Sequence, residues 1–125
     1  MTIKIPEGCN NSPKKERLAK FNIAFAKGNL DEILQFMDDN CTMTMVIDAG
    51  GSKVYEGKQA IKEFLLPYSG KAADHLEINQ IITHGKEAAV RGFMKMGEHK
   101  MEFADFIEFN SAGSDKIKKI FSYTN

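Results

Sequence analysis

In the stretch FADFIEFN, residues 103–110, a carboxylate stands inside an apolar strand pattern. Alternate residues of a β-strand face opposite sides. Phe103, Asp105, Ile107 and Phe109 therefore share one face, and Ala104, Phe106 and Glu108 the other. An ionised carboxylate sealed among large apolar groups costs far more than the burial of one side chain returns. Asp105 is expected to be paired, protonated or at the edge of a cavity. As a paired acid it is structural, with Tyr55, Tyr68, Tyr123 or a backbone amide as its partner. At a cavity, desolvation raises its pKa, and it can donate a hydrogen bond as a neutral acid or take a proton. Asp105 is the candidate catalytic residue on that second reading, and spacing alone leaves both open.

The surroundings are soft and apolar. In EAAVRGFMKM, Ala88, Val90, Gly92, Met94 and Met96 share a face that joins the Asp105 side if the hairpin keeps its apolar faces together. Seven methionines and nine phenylalanines without tryptophan suit an irregular core or a pocket that accepts varied apolar shapes. Other chemistry is weakly signalled. His75, His84 and His99 stand singly beside turns, without paired metal-ligand spacing, so neither a metal nor a cofactor is expected. Cys9 and Cys41 have no local base and are expected to be inert, reduced thiols. The GGSK run lacks phosphate-loop spacing and reads as a turn.

The elements that must position Asp105 follow from periodicity and punctuation. Ser12 then Pro13 starts a helix over 13–27, with Leu18, Phe21 and Phe25 at helical spacing and Gly28 ending it. Asn29 with Glu32 caps a short second helix through Met37. CTMTMVID, 41–48, alternates as a strand, and Gly57 opens a third helix that Pro67 stops. LEINQIIT, EAAVRGFMKM, KMEFADFIEFN and DKIKKIFSYT then read as four consecutive antiparallel strands. Helices followed by hairpins give an α+β class, one domain over 1–125 with an N-terminal arm at 1–11. The facing of the last strand is ambiguous, since Lys119, Phe121 and Tyr123 compete with Ile120 and Ser122 for the inside.

The totals narrow the partners. Lys+Arg and Asp+Glu are both 17, the formal net charge is zero, and no long basic run exists, which argues against nucleic acid. No window approaches the ~20 apolar residues of a membrane span, and MTIKIPEGCNNSPKK has no signal-peptide core, so a cytoplasmic chain is expected.

The order of elements, with FAKGNLDEILQFMDDNCTM, YEGKQAIKEFL and DFIEFNSAGSDKI, resembles the SnoaL-like and ketosteroid isomerase-like proteins of the nuclear transport factor 2 superfamily over about 13–125. The opening IPEGCNNSPKK and INQIITHGKEAAV are also similar to a small group of bacterial members without assigned activity. The resemblance implies a cone-shaped, cystatin-like fold: three N-terminal helices on a strongly curved, mostly antiparallel sheet whose concave face floors a pocket. It also implies homodimers paired through the outer sheet surface. Isomerases of this family use a strand aspartate as base and an oxyanion hole built from a helix tyrosine and a protonated late-strand aspartate. Asp105 falls on that late-strand position, but Phe21 stands at the tyrosine and Met45 at or near the base. Met45 cannot move a proton, which argues against steroid isomerisation.

Three readings result. The first is a homodimeric domain binding a compact, largely apolar molecule with a carbonyl or hydroxyl at Asp105. Phe21, Phe25, Met45, Phe64, Val90, Met94, Met96, Phe103 and Ile107 are the expected lining, with Tyr123 within reach of Asp105. The second is an isomerase, dehydratase or cyclase using Asp105 as acid and Asp48, His75 or Tyr68 as base. The third is a protein-interaction module using the outer sheet face and the arm.

Overall fold

A computed structural model describes residues 1–9, 12–47 and 51–125. The chain runs β1 (Thr2–Lys4), α1 (Pro13–Lys27), α2 (Leu30–Gln35), β2 (Met37–Ile47), β3 (Ser52–Glu56), α3 (Lys58–Leu65), a 3-10 turn (Leu66–Tyr68), β4 (His75–His84), β5 (Glu87–Met96), β6 (His99–Phe109) and β7 (Ile117–Thr124). The expected helix over 13–27 and the four late strands are present. All seven strands form one sheet in the order β1-β4-β5-β6-β7-β2-β3. Among the described residues β1–β4 and β2–β7 pair in parallel and the other neighbours are antiparallel.

The helix ends follow from their capping chemistry. The Ser12 hydroxyl accepts from the Lys15 amide, Pro13 needs no amide partner, and Gly28 closes α1 at φ 67°. A Cβ on Gly28 would stand 2.6 Å from the Lys71 carbonyl oxygen, so backbone conformation and close approach both call for glycine. Asn29 caps α2, its Oδ1 accepting from the Glu32 amide at 3.2 Å and its Nδ2 donating to the Glu32 carboxylate at 3.0 Å. Asn29→Ala is expected to cost about 1 kcal/mol, read as a lower urea midpoint with an unchanged slope.

Three expectations need correction. The second helix stops at Gln35, because Met37 already pairs with Ile117 as the first residue of β2. Ser52 and Lys53, read as the end of a turn, join Val54–Glu56 in β3 against β2, and Tyr55 lies on the Phe64 ring, 4.2 Å between centroids. Within the described part of the N-terminal arm, Thr2–Lys4 extend the sheet beside β4, and Cys9 is buried, its thiol donating to the Lys15 carbonyl.

The core lies between the sheet and the helices. Leu18, Phe21, Ile33, Phe36, Ile61 and Leu65 bury against Cys41, Met43, Leu76, Val90, Ile107, Phe109 and Ile120. Phe21 packs edge-on to both Phe25 and Phe36. The opposite side of the sheet faces outward and exposes Ile82, Phe106, Phe121 and Tyr123.

Candidate functional site around Asp105

Strand register puts Asp105 at the centre of the helix-facing side. On β6 its same-face neighbours are Phe103 and Ile107, both buried, as alternation predicts. Across the strands, Val90 of β5 stands on one side and Ser122 of β7 on the other. Met45 of β2 lies one strand beyond Ser122. The row Val90–Asp105–Ser122–Met45 thus holds one carboxylate and one hydroxyl between apolar groups.

Burial dominates the chemistry. Desolvation pushes the Asp105 carboxyl up from 3.8 to about 6, while the Ser122 hydroxyl beside it pulls the other way. No charged group among the described residues contributes to that shift. Its Oδ1 is shielded from solvent and has no hydrogen-bond partner among the described residues. A buried oxygen left in this way costs roughly 1–3 kcal/mol. Among the described residues the hydrogen bond that acts on the carboxyl comes from the Ser122 hydroxyl, not from a tyrosine or a backbone amide.

The proposed lining divides. Phe21, Val90, Phe103 and Ile107 are buried on the Asp105 side of the core, and Phe25, Met45, Phe64 and Met94 are half-buried against it. Tyr123 is misplaced: it pairs with Ala104 on the outward face, so its hydroxyl cannot reach Asp105. Met96 is 44 % exposed at the end of β5 and lines nothing inside. Of the expected bases, His75 is beside Phe93 and Glu77, Tyr68 is exposed against Phe64, and Asp48 lies outside the described residues. The sequence left the facing of the last strand open, and the register settles it for Ser122, which pairs with Asp105. The spacing Ile117–Ile120, with both isoleucines buried, was the available signal for Ser122.

Two concavities lie at the sheet among the described residues, and the smaller has Val90 and Asp105 in its lining. One, about 460 Å³, is lined by Arg91, Phe93, Glu102, Ala104 and Tyr123 among others. The other, about 110 Å³, lies between Ile82, Ala89, Ala104 and Phe106. Among the described residues no group of three or more His, Cys, Asp or Glu is placed to hold a metal ion, and no helix is long and apolar enough to cross a membrane. Burial pushes the Cys41 thiol up to about 12 and raises that of Cys9, so neither is an activated nucleophile.

Helices on the inner face of a curved mixed sheet are the architecture of the nuclear transport factor 2-like, cystatin-like fold. The model of the SnoaL-like domain family matches residues 18–120, and the chain belongs to that family. No curated protein matches the sequence. Among solved structures, a nuclear transport factor 2-like protein of unknown function from Mesorhizobium loti is similar at TM-score 0.72 and 13% identity, over 100% of this chain and 99% of the other. One of unknown function from Burkholderia xenovorans gives 0.69 and 16%, over 91% and 87%. The epoxide hydrolase/cyclase-like enzyme SalBIII, of pyran ring formation in salinomycin, gives 0.70 and 20%, over 90% of both chains. At these identities the likeness is one of fold.

Proposed function

We propose that this domain binds a compact, largely apolar molecule on the helix-facing side of its sheet, with a carbonyl or hydroxyl of the ligand meeting Asp105. The observation that carries the reading is the solvent-shielded Oδ1 of Asp105 with no hydrogen-bond partner among the described residues. A ligand oxygen would supply that partner, and the half-buried Phe25, Met45, Phe64 and Met94 would give at its edges. Binding rather than turnover is favoured because, among the described residues, no ionisable group contributes to the shift of Asp105. An isomerase, dehydratase or cyclase needs a second polar group within reach of the reacting atoms. SalBIII shows that the fold accommodates such chemistry in another protein.

Methionine methyl resonances offer a direct test, with cyclohexanone and phenol as probes. The inner Met45 and Met94 are expected to shift on titration, and the exposed Met1 and Met96 to stay unmoved. Cyclohexanone accepts from the neutral acid, so its binding should weaken as pH rises through about 6; phenol donates to the carboxylate, so its binding should strengthen. Unmoved inner methyls with both probes would overturn the reading.

A second reading, homodimerisation through the outward sheet face, is favoured by the exposed Ile82, Phe106, Phe121 and Tyr123 on one surface.

A further inference from the structure

The larger concavity contains a cation that ligand binding at Asp105 does not use. On the outward face the register sets Arg91 of β5, Ala104 of β6 and Tyr123 of β7 side by side. Ala104 is the short member of that row, so it floors a trough walled by a guanidinium on one side and a phenol on the other. The walls stand two inter-strand gaps apart, about 10 Å at ~4.8 Å per gap. Phe93 and Glu102, opposite each other in the next row, line the hollow too. Its volume of about 460 Å³ falls within the ~300–1,000 Å³ of small-molecule sites.

The walls are held in place, and the cation is left available. Arg91 Nε donates to Gln80 Oε1 at 3.0 Å, which orients the guanidinium and leaves its two terminal nitrogens for another acceptor. Among the described residues no carboxylate forms an ion pair with Arg91. Glu102 is engaged elsewhere: its carboxylate pairs with Lys100 Nζ at 3.6 Å and accepts from Asn125 Nδ2 at 3.4 Å. The Tyr123 ring is held edge-on by Phe106, 5.9 Å between centroids. A guanidinium offers a planar fork that a carboxylate meets with both oxygens. A ring stacked on Tyr123 lies ~5 Å from it, about half the width of the trough, so a carboxylate on that ring reaches toward Arg91.

The geometry points to a second ligand site in this trough, for a small aromatic carboxylate with its ring against Tyr123 and its carboxylate on the Arg91 fork. The site stands independently of the Asp105 reading. An anion is the ligand that an ionised Asp105 repels, so the two sites divide ligands by charge. Of the exposed apolar residues on the outward face the trough uses Tyr123; Ile82, Phe106 and Phe121 belong to the neighbouring row.

Benzoate is the probe, titrated at neutral pH into the intact chain, Arg91→Gln, Ala104→Leu and, as a control on α3, Lys62→Ala. The Tyr123 ring resonances follow the trough, and the Met45 and Met94 methyls follow the inner face. Saturable shifts at Tyr123 with both methyls unmoved are expected. Arg91→Gln is expected to raise the dissociation constant about 10-fold or more, as for the loss of a charge-assisted hydrogen bond. Ala104→Leu fills the floor and acts in the same direction, and Lys62→Ala leaves binding unchanged. Benzyl alcohol, the same ring without the charge, is expected to bind about 10-fold more weakly or worse. Arg91→Gln alters an exposed side chain, so the fold persists and this variant decides even where Ala104→Leu does not fold, which circular dichroism reads. No saturable shift at Tyr123, a dissociation constant unmoved by Arg91→Gln, or benzyl alcohol binding as tightly as benzoate each overturns the site. Shifts of Met45 and Met94 alone also overturn it, while leaving a ligand site on the inner face standing.

Discussion

Gly92→Ala is expected to destabilise the protein by about 3 kcal/mol, the upper end of what overpacking a core costs, while Gly113→Ala stays near neutral. Gly92 faces inward on β5, opposite Phe103. A Cβ there would lie 2.1 Å from the Glu77 carbonyl oxygen and 3.0 Å from the Ile78 Cα. Both are backbone atoms, so no rotamer change relieves the clash; β4 itself must move away. Its backbone φ is not in the left-handed region, which leaves close approach as the sole reason for glycine. The approach is that tight because β4 carries an irregularity between Ile78 and Gln80, and a bulge of this kind bends a strand toward its neighbour. At Gly113 a Cβ meets nothing within 4 Å. Urea unfolding of both variants gives the comparison. Equal midpoints would mean that the sheet can flatten at β4–β5 without penalty, and the curvature would then have another cause.

The same irregularities decide what was legible from the residues alone. Helix α1 was readable because Ser12, Pro13 and Gly28 each serve a local backbone need, independent of tertiary context. The hairpin strands were readable because their turns are short and their alternation clean, as in Phe103, Asp105, Ile107 and Phe109. Alternation fails where one residue is inserted. In β7 Ile117 and Ile120 are both buried although three apart, and the register against β6 shifts at that point. Strict parity counted from either isoleucine misfaces the other, which is why the sequence left Tyr123 and Ser122 competing for the inner face. In β4 the buried Ile78 and Ile81 repeat the pattern. Apolar residues three apart inside a strand mark a bulge, and in a curved sheet that signal outranks period two. Strand β3 was hidden for a different reason: Ser52–Glu56 is an edge strand with mostly exposed residues, so no buried face imposes a pattern on it.

Asp105→Asn is expected to make the protein more stable at neutral pH by about 3 kcal/mol and to lose that advantage in acid. The sign follows from proton linkage. Burial raises the folded-state pKa of Asp105 from 3.8 to about 6, so between those values the folded chain holds a proton that the unfolded chain has released. Stability falls as pH rises through this window, and above about 6 the whole cost of an ionised, buried carboxylate is present. The difference between about 6 and 3.8, at about 1.36 kcal/mol per pH unit, sets the ~3 kcal/mol. Asparagine keeps the shape without a charge at any pH. Urea unfolding of both proteins at about pH 4 and about pH 7.5 should show curves that coincide in acid and separate at neutral pH. A difference independent of pH would show that Asp105 is not held desolvated. A structural acid would behave in the opposite way, because removing a paired carboxylate leaves its partner buried and weakens the fold at neutral pH. On the binding reading, a ligand oxygen at Asp105 offsets the cost of its burial. The variant should therefore gain stability and lose the response of Met45 and Met94 to phenol together, a pairing of outcomes that no purely structural role for Asp105 produces.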